Sequence, residues 1–393
     1  MLAIPSFHDP IFIVHPHGLY LWGLEGVFSD ARIIVDVPGC FSTIDLFQNE
    51  KIAGMIPKGS VVLIMKPAPK LSKIAEQKGW RLSAIAPDLN RRFESKFTIN
   101  NEFLAARLPI LPYLVTTAKG KTYEELRERF GENLVVQAER GHAGSSTYPA
   151  SSEADWVSLQ ERFLDFPVKV SPWREGETWT LNAVVTRFGT LVSRPFLQLQ
   201  NIPACGTINP FTTCGNAHMP IEDHLAFEIM GQAERFGAHL HREGYSGWFG
   251  LDVLVKDEAI VGWIECNPRL TASCGVFSAM QQERGMTPFA LLHVLETLGL
   301  PYDLDMKREQ HLLADGFSES HIVLRTTAQR RGDMVGKPKR WRDLQSGEVA
   351  LVSRAKEIEV PVGEPFAVAY KKGIFSAGEI ESHLERWEGK RRN

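Results

Sequence analysis

The sequence predicts a mixed α/β chain: an N-terminal unit with a parallel sheet, a second α/β body enclosing a cleft, and a tail of strand-like pieces. Over the first 90 residues, short apolar runs alternate with helical or loop material, the pattern of a mostly parallel sheet covered on both faces. At 393 residues the chain exceeds one small core and suits two or three domains packed around a cleft. Residues 244–273 read as two strands joined by a short turn at Lys256, Asp257 and Glu258, with Asp252 near the start of one strand and Glu265 and Asn267 at the end of the other.

Composition is that of an ordinary globular protein, with 44% apolar and 23% charged residues and a net charge of -3. Lys and Arg are scattered apart from the tip Lys390, Arg391 and Arg392, so nothing points to nucleic acid. No apolar run approaches the length of a membrane span, and the N-terminus lacks the features of a signal peptide. A cytoplasmic protein without membrane or nucleic-acid partners is expected, and a homodimer stays open. The cysteines, Cys40, Cys205, Cys214, Cys266 and Cys274, are odd in number and lack CxxC spacing, so buried thiols are expected rather than a disulfide framework.

The strand-type runs at 11–16, 31–37, 60–67 and 81–87 carry no GxGxxG after the first of them, which excludes a dinucleotide fingerprint. His15 and His17 have no third ligand and read as loop residues. A helix is expected over 88–107, stopped by the prolines of the LPILPYLVTT segment. The strand at 133–139 leads into RGHAGSSTY at 140–148. Small residues and hydroxyls after a strand let backbone N–H groups turn inward around anionic oxygens, although a plain hairpin turn reads the same way. Lys169, between two valines, faces opposite to them and is expected to point into a cleft. Residues 201–220 are too long for a tight hairpin and suggest a functional loop. The helix at 224–243 presents Leu225, Ile229, Ala233, Phe236 and Leu240 as a core face. In the tail, Arg325, Arg330 and Arg331 read as surface charges, with an anionic substrate as the other reading.

Carboxylate and amide oxygens gathered at strand ends are what a hard cation such as Mg2+ requires, and the cation can carry nucleotide phosphates. Arg269, two residues beyond Asn267, has the fork to clamp an oxyanion. The set Asp252, then Glu265, then Asn267-Pro268-Arg269, on a strand pair after a Gly-x-x-Gly segment, resembles the signature of the ATP-grasp superfamily.

The resemblance implies an ATP-grasp fold preceded by an N-terminal parallel-sheet α/β domain and followed by a small C-terminal subdomain. Its expected boundaries are 1–90, 91–170 for the small lobe with its glycine-rich flap, 171–300 for the large lobe with the metal site, and 301–393. It implies ATP as cosubstrate and Mg2+, two ions, with Mn2+ as a substitute, held by Asp252, Glu265 and Asn267. Nucleotide contacts would come from Lys96, Gln137, the flap residues His142, Gly144, Ser145 and Ser146, Trp173 with Val170 as adenine walls, and Glu177 at the ribose. Lys169 and Arg269 would be catalytic. The implied reaction is carboxylate–amine ligation through an acyl phosphate, with a small-molecule carboxylate and amine, amino acids or short peptides, as substrates. An ATP-grasp kinase and a non-catalytic nucleotide-binding protein are the alternatives. Two departures stand out: Gln137 occupies a position where the family usually has lysine, and Gly250 one where D-alanine-type ligases have arginine.

Overall fold

The structure is a computed structural model that describes residues 10–141, 143–207, 209–327, 341–354, 360–375, 378–380 and 382–383. Its first sheet, all parallel, holds β1 (Ile11–Val14), β2 (Arg32–Ile34), β3 (Val61–Leu63) and β4 (Arg81–Ser83) in the order β2-β1-β3-β4. All four residues of β1 and all three of β3 are buried, because helices cover both faces of such a sheet. Phe12 and Val62 pack with Leu71 and Trp80 on one side, while Ile11, Ile13 and Leu63 join Leu292 and Leu295 on the other. The strands are shorter than the apolar runs suggested, and the helical pattern after Tyr20 yields only Leu24–Val27.

The expected helix over 88–107 is two helices, Pro87–Glu94 and Ile99–Ala105. Ser95 breaks it: its hydroxyl donates to Glu139 Oε1 at 3.0 Å and accepts from the Phe97 N–H at 3.3 Å, the local bonding by which serine competes with helix. Beyond the second helix the chain runs along the large sheet, where Trp263 N–H donates to Pro109 O at 2.9 Å.

An antiparallel sheet follows, with β5 (Leu114–Thr117), β6 (Leu134–Gln137), β7 (Thr147–Ala150) and β8 (Pro167–Pro172) in the order β5-β8-β6-β7. Val136, Val168 and Val170 bury one face against Leu126, Trp156 and Leu159 of two helices. The other face therefore carries Gln137, Lys169 and Ser171.

The third sheet has nine strands. They are β9 (Glu177–Thr186), β10 (Gly189–Val192), β11 (Phe196–Gln200), β12 (Thr213–Ala217), β13 (Gly247–Lys256), β14 (Ala259–Asn267), β15 (Glu319–Arg325), β16 (Val349–Ser353) and β17 (Pro365–Lys372). The order is β14-β13-β9-β11-β12-β15-β17-β16, with β10 on β9. Phe249, Leu251 and Val253 of β13 pack on Ile229, Ala233 and Phe236 of the helix Asp223–Arg242, so Gly250, Asp252 and Leu254 face the opposite way. The turn after β13 is tight, with Asp257 at φ 49 and Glu258 at φ 59. The tail strands β15 to β17 extend this large sheet through β12. The tail sequence also reads as ending in a helix over 377–387, much of which falls outside the described residues.

No helix of the described residues is long and apolar enough to cross a membrane. The N-terminal unit docks on the large lobe through Gly275, where the backbones nearly touch: a Cβ there would lie 2.3 Å from Trp22 O and 2.6 Å from Tyr20 O. Those carbonyls cannot swing aside as a side chain would. Gly275→Ala is expected to lower stability by roughly 1–3 kcal/mol, read as a drop in the denaturant midpoint at constant m-value.

Candidate functional site

The polar faces of the second and third sheets enclose a cleft of about 350 Å³. Lys96, Gln137, Lys169, Trp173, Asp252, Glu265, Asn267 and Arg269 all line it, so one space gathers residues scattered over more than 170 positions of sequence.

At its centre, Asp252 of β13 lies directly across from Glu265 of β14, at a bulge in their pairing. Two carboxylates facing each other repel. Asp252 is 8% exposed, and burial, with the Glu265 charge added, pushes its carboxyl up to about 7, against the opposing effects of Thr180, Lys96 and Gln198. Lys96, in the break between the two helices and itself buried, pairs with Glu265 at 3.0 Å. Among the described residues no three His, Cys, Asp or Glu side chains form a group that could hold a metal. The oxygen set here is two carboxylates and the amide of Asn267, whose strand position is opposite Gly250. A like-charged, half-desolvated acid pair fits a hard dication, which would return Asp252 to its ionised form.

Lys169 of β8 is in register with Gln137 of β6. Its ammonium donates to Asn100 Oδ1 at 2.8 Å and sits 5.6 Å from the Tyr113 ring centroid. Burial and the Lys96 charge pull it down to about 8, with Glu265 acting the other way. Gln137 donates to Thr147 Oγ1 at 3.3 Å, so the amide is committed to the flap and Lys169 supplies the positive charge of that pair of strands. Gly144, at φ 81, lets the flap meet the 201–212 loop: a Cβ would sit 2.0 Å from Phe211 O, and Asn209 Nδ2 donates to Gly144 O at 3.2 Å. Phe211 in turn lies against Trp173, with ring centroids 5.1 Å apart.

Arg269 is held by Glu94, which accepts from its Nε at 2.9 Å and also pairs with Lys66 at 2.8 Å. Its Nη2 donates to Asn267 Oδ1 at 2.9 Å, and Asn90 fixes the intervening backbone by donating to Pro268 O at 3.1 Å.

Other expected residues are not brought to the cleft. Glu177 is exposed on the far face of β9, accepting from Trp179 Nε1 at 3.3 Å; the strand's alternation turns Thr178, Thr180 and Asn182 inward instead, and Glu175, two residues earlier, lines the cleft. Val170 is core. Ser145 is exposed and Ser146 buried, and neither lines the cavity. His142, Arg330 and Arg331 lie outside the described residues. Arg325 is no surface charge: it is 6% exposed and lines the cleft. The Cys205, Cys214 and His218 side chains are buried, and among the described residues the five cysteines form no disulfide.

Sequence reading missed Thr180 and Gln198, which hydrogen-bond Asp252, Asn100 beneath Lys169, and Glu94 behind Arg269. One signal was present for Thr180 and Asn182, the polar–apolar alternation of residues 178–183. The others depend on contacts between distant segments.

No protein-family profile matches the sequence, and no curated protein sequence matches it. Solved structures do match the fold. N5-carboxyaminoimidazole ribonucleotide synthetase in its ADP complex aligns with TM-score 0.66 at 14% identity, over 100% of this chain and 99% of that one. Carboxyaminoimidazole ribonucleotide synthase from Aspergillus clavatus, complexed with ATP, gives 0.64 at 14% identity over 98% and 99%. Biotin carboxylase from Campylobacter jejuni, in its β-γ-ATP complex, gives 0.65 at 11% identity over 99% and 98%. The chain has the ATP-grasp fold.

The Asp252 carboxyl predicts a pH signature. Its folded pKa, about 7, lies above its unfolded value near 3.9. The unfolded chain therefore releases this proton first, and the Asp252 contribution to stability falls as pH rises from about 4 to about 7. In EDTA-treated protein at pH 8, Asp252→Asn is expected to raise stability, by on the order of 2–4 kcal/mol at most, and to flatten the wild-type decline between those pH values. Parallel unfolding midpoints of the two proteins across pH 4–8 check it.

Proposed function

We propose that the chain is an ATP-dependent carboxylate–amine ligase. The observation that carries the reading is the buried Asp252–Glu265 pair, flanked by Lys96 and Lys169 in the cleft between two ATP-grasp lobes. It is an arrangement suited to a polyanion and its divalent cations. The solved neighbours named above were crystallised with ADP or ATP, which supports a nucleotide in the same place here.

On this reading the nucleotide base lies beside Trp173 and Phe211, and its phosphates run beneath the flap toward Lys169 and Lys96. Mg2+, held by Asp252, Glu265 and Asn267, would neutralise phosphate charge and polarise the terminal phosphoryl group. A substrate carboxylate attacks the terminal phosphorus of ATP and ADP leaves. An amine then attacks the acyl phosphate and displaces inorganic phosphate, giving the amide. Lys96 and Lys169 offset the charge that builds on the transferred group, and Arg269, fixed by Glu94, orients the carboxylate and then its acyl phosphate. The two lobes hold the reactants in line and exclude water from the mixed anhydride. Five buried cysteines without a disulfide among the described residues suit the reducing cytoplasm.

The chemistry specifies a small-molecule acid and a small-molecule amine. Amino acids and short peptides are the first to screen, although the neighbours are named for a ribonucleotide and for biotin. The decisive assay is pairwise screening for ADP and phosphate release that requires both an acid and an amine, with the product mass read directly. A stable phosphoester would replace this reading with a kinase, and nucleotide binding without turnover for any acid–amine pair would leave a non-catalytic nucleotide-binding protein. Asp252→Asn and Glu265→Gln are each expected to cut turnover by about 10²–10³-fold, with the substrate-free fold kept by circular dichroism.

A further inference from the structure

Among the described residues two arginines are buried, Arg325 and Arg354, and Arg325 is the one with no acid paired to it. Arg269 pairs with Glu94 at 2.9 Å and Arg354 with Asp36 at 3.1 Å. Arg325, at the end of β15 and 6% exposed, forms no ion pair among the described residues. Its Nη1 donates to Gly363 O at 3.2 Å and its Nη2 to Thr213 O at 3.3 Å. Its Nε–H is buried with no hydrogen-bond partner among the described residues. A guanidinium has five N–H donors, so three remain unused in a place where water is largely excluded. Burying a cation in this way is costly unless an anion completes it.

Arg325 stands apart from the lysines and acids assigned to the phosphates and the metal; its acceptor Thr213 meets the flap, the Thr213 N–H donating to Ala143 O at 3.4 Å. Lys96, Lys169 and the acid pair belong to the helix break, β8 and the β13–β14 edge. Arg325 stands on β15, four strands from β13 in the sheet order β13-β9-β11-β12-β15, roughly 19 Å at the usual interstrand spacing of about 4.8 Å. Tyr20, from the N-terminal unit, also lines the cleft, and its hydroxyl feels the charges of both Arg325 and Arg269. Glu364, the acid that acts on Tyr20, is exposed and forms no ion pair with Arg325 among the described residues. The cleft therefore has an end, bounded by Tyr20 and Arg325, where the buried guanidinium has no ion-pair partner among the described residues.

Resting on the ligase reading, we propose that Arg325 anchors a second, non-reacting acidic group, a carboxylate or a phosphate, on the substrate that shares the cleft with the nucleotide. Arg269 orients the reacting carboxylate, and Arg325 fixes the substrate's other end. The substrate class narrows accordingly to molecules with an acidic group besides the one that reacts.

Calorimetric titration of inorganic phosphate and, separately, of succinate into the protein saturated with AMP-PNP and Mg2+ tests the proposal and tells the two anion classes apart. At least one should bind wild type, roughly 10–100-fold more weakly in Arg325→Gln, with Arg325→Lys in between. Binding of neither anion to wild type, or equal binding to Arg325→Gln, overturns the proposal. Loss of AMP-PNP affinity together with anion affinity in Arg325→Gln would also overturn it, since Arg325 would then serve the nucleotide. Failure of wild type to bind AMP-PNP would instead sink the ATP reading, and the anion titrations, repeated without nucleotide, would still read Arg325. Should Arg325→Gln not fold, phenylglyoxal labelling of wild type with peptide mapping decides: the bound anion should slow modification of Arg325, and an unchanged rate overturns the proposal.

Discussion

Two carboxylates pressed together across a strand pair set the terms for the rest of this molecule. Asp252 and Glu265 are brought face to face by the β13–β14 register, in a setting where burial already disfavours charge. Such a pair is tolerated only if cations and hydrogen-bond donors surround it. Thr180 and Gln198 support Asp252 from neighbouring strands, and Lys96 pairs with Glu265 from a different lobe. Lys96 can reach because the helix breaks at Ser95, and that break is fixed by the Ser95–Glu139 bond to the segment after β6. The acid pair thus ties the small lobe, the helix break and the large sheet to one point.

The same balance extends outward in layers. Lys169 is buried beside Lys96, and burial first, then the repulsion between the two, lowers the Lys169 pKa; a polyanion would relieve that repulsion as a dication would relieve the acids. Arg269 is shared among Glu94, Asn267 and the backbone of Leu270, and Glu94 in turn binds Lys66 of the N-terminal unit. Charges of both signs are preset around the cleft, and most of the desolvation cost is met by the fold before any ligand arrives. Arg325 is where that compensation stops.

The two departures from the family pattern have physical explanations in the structure. An amide at position 137 cannot carry charge, but its strand neighbour Lys169 can, and Gln137 instead ties β6 to Thr147 of the flap. Glycine at 250 leaves space for Thr271, since a Cβ there would lie 2.7 Å from its Cγ2. Thr271 uses that space to donate to Asn182 Oδ1 at 2.9 Å, so small size at one position buys an ordered polar network at the next.

The sequence by itself determined what short-range patterning controls. Alternation of strand and helix gave the parallel first sheet, and the spacing of Asp252, Glu265, Asn267 and Arg269 marked the cluster, with Asp252 mid-strand in β13 rather than near a strand start as expected. Lys169 between two valines could likewise be turned inward from its neighbours alone. Tertiary structure decided what depends on which segments meet. Glu177 went to the outer face because β9 aligns on β13 in a register that turns Thr178 and Thr180 inward; the tail strands joined the large sheet because the edge of β12 was free to pair with β15. Arg325 became a buried cation for the same reason, since a charge on a strand is a surface residue or a cleft residue according to the sheet it joins, and no local pattern encodes that choice.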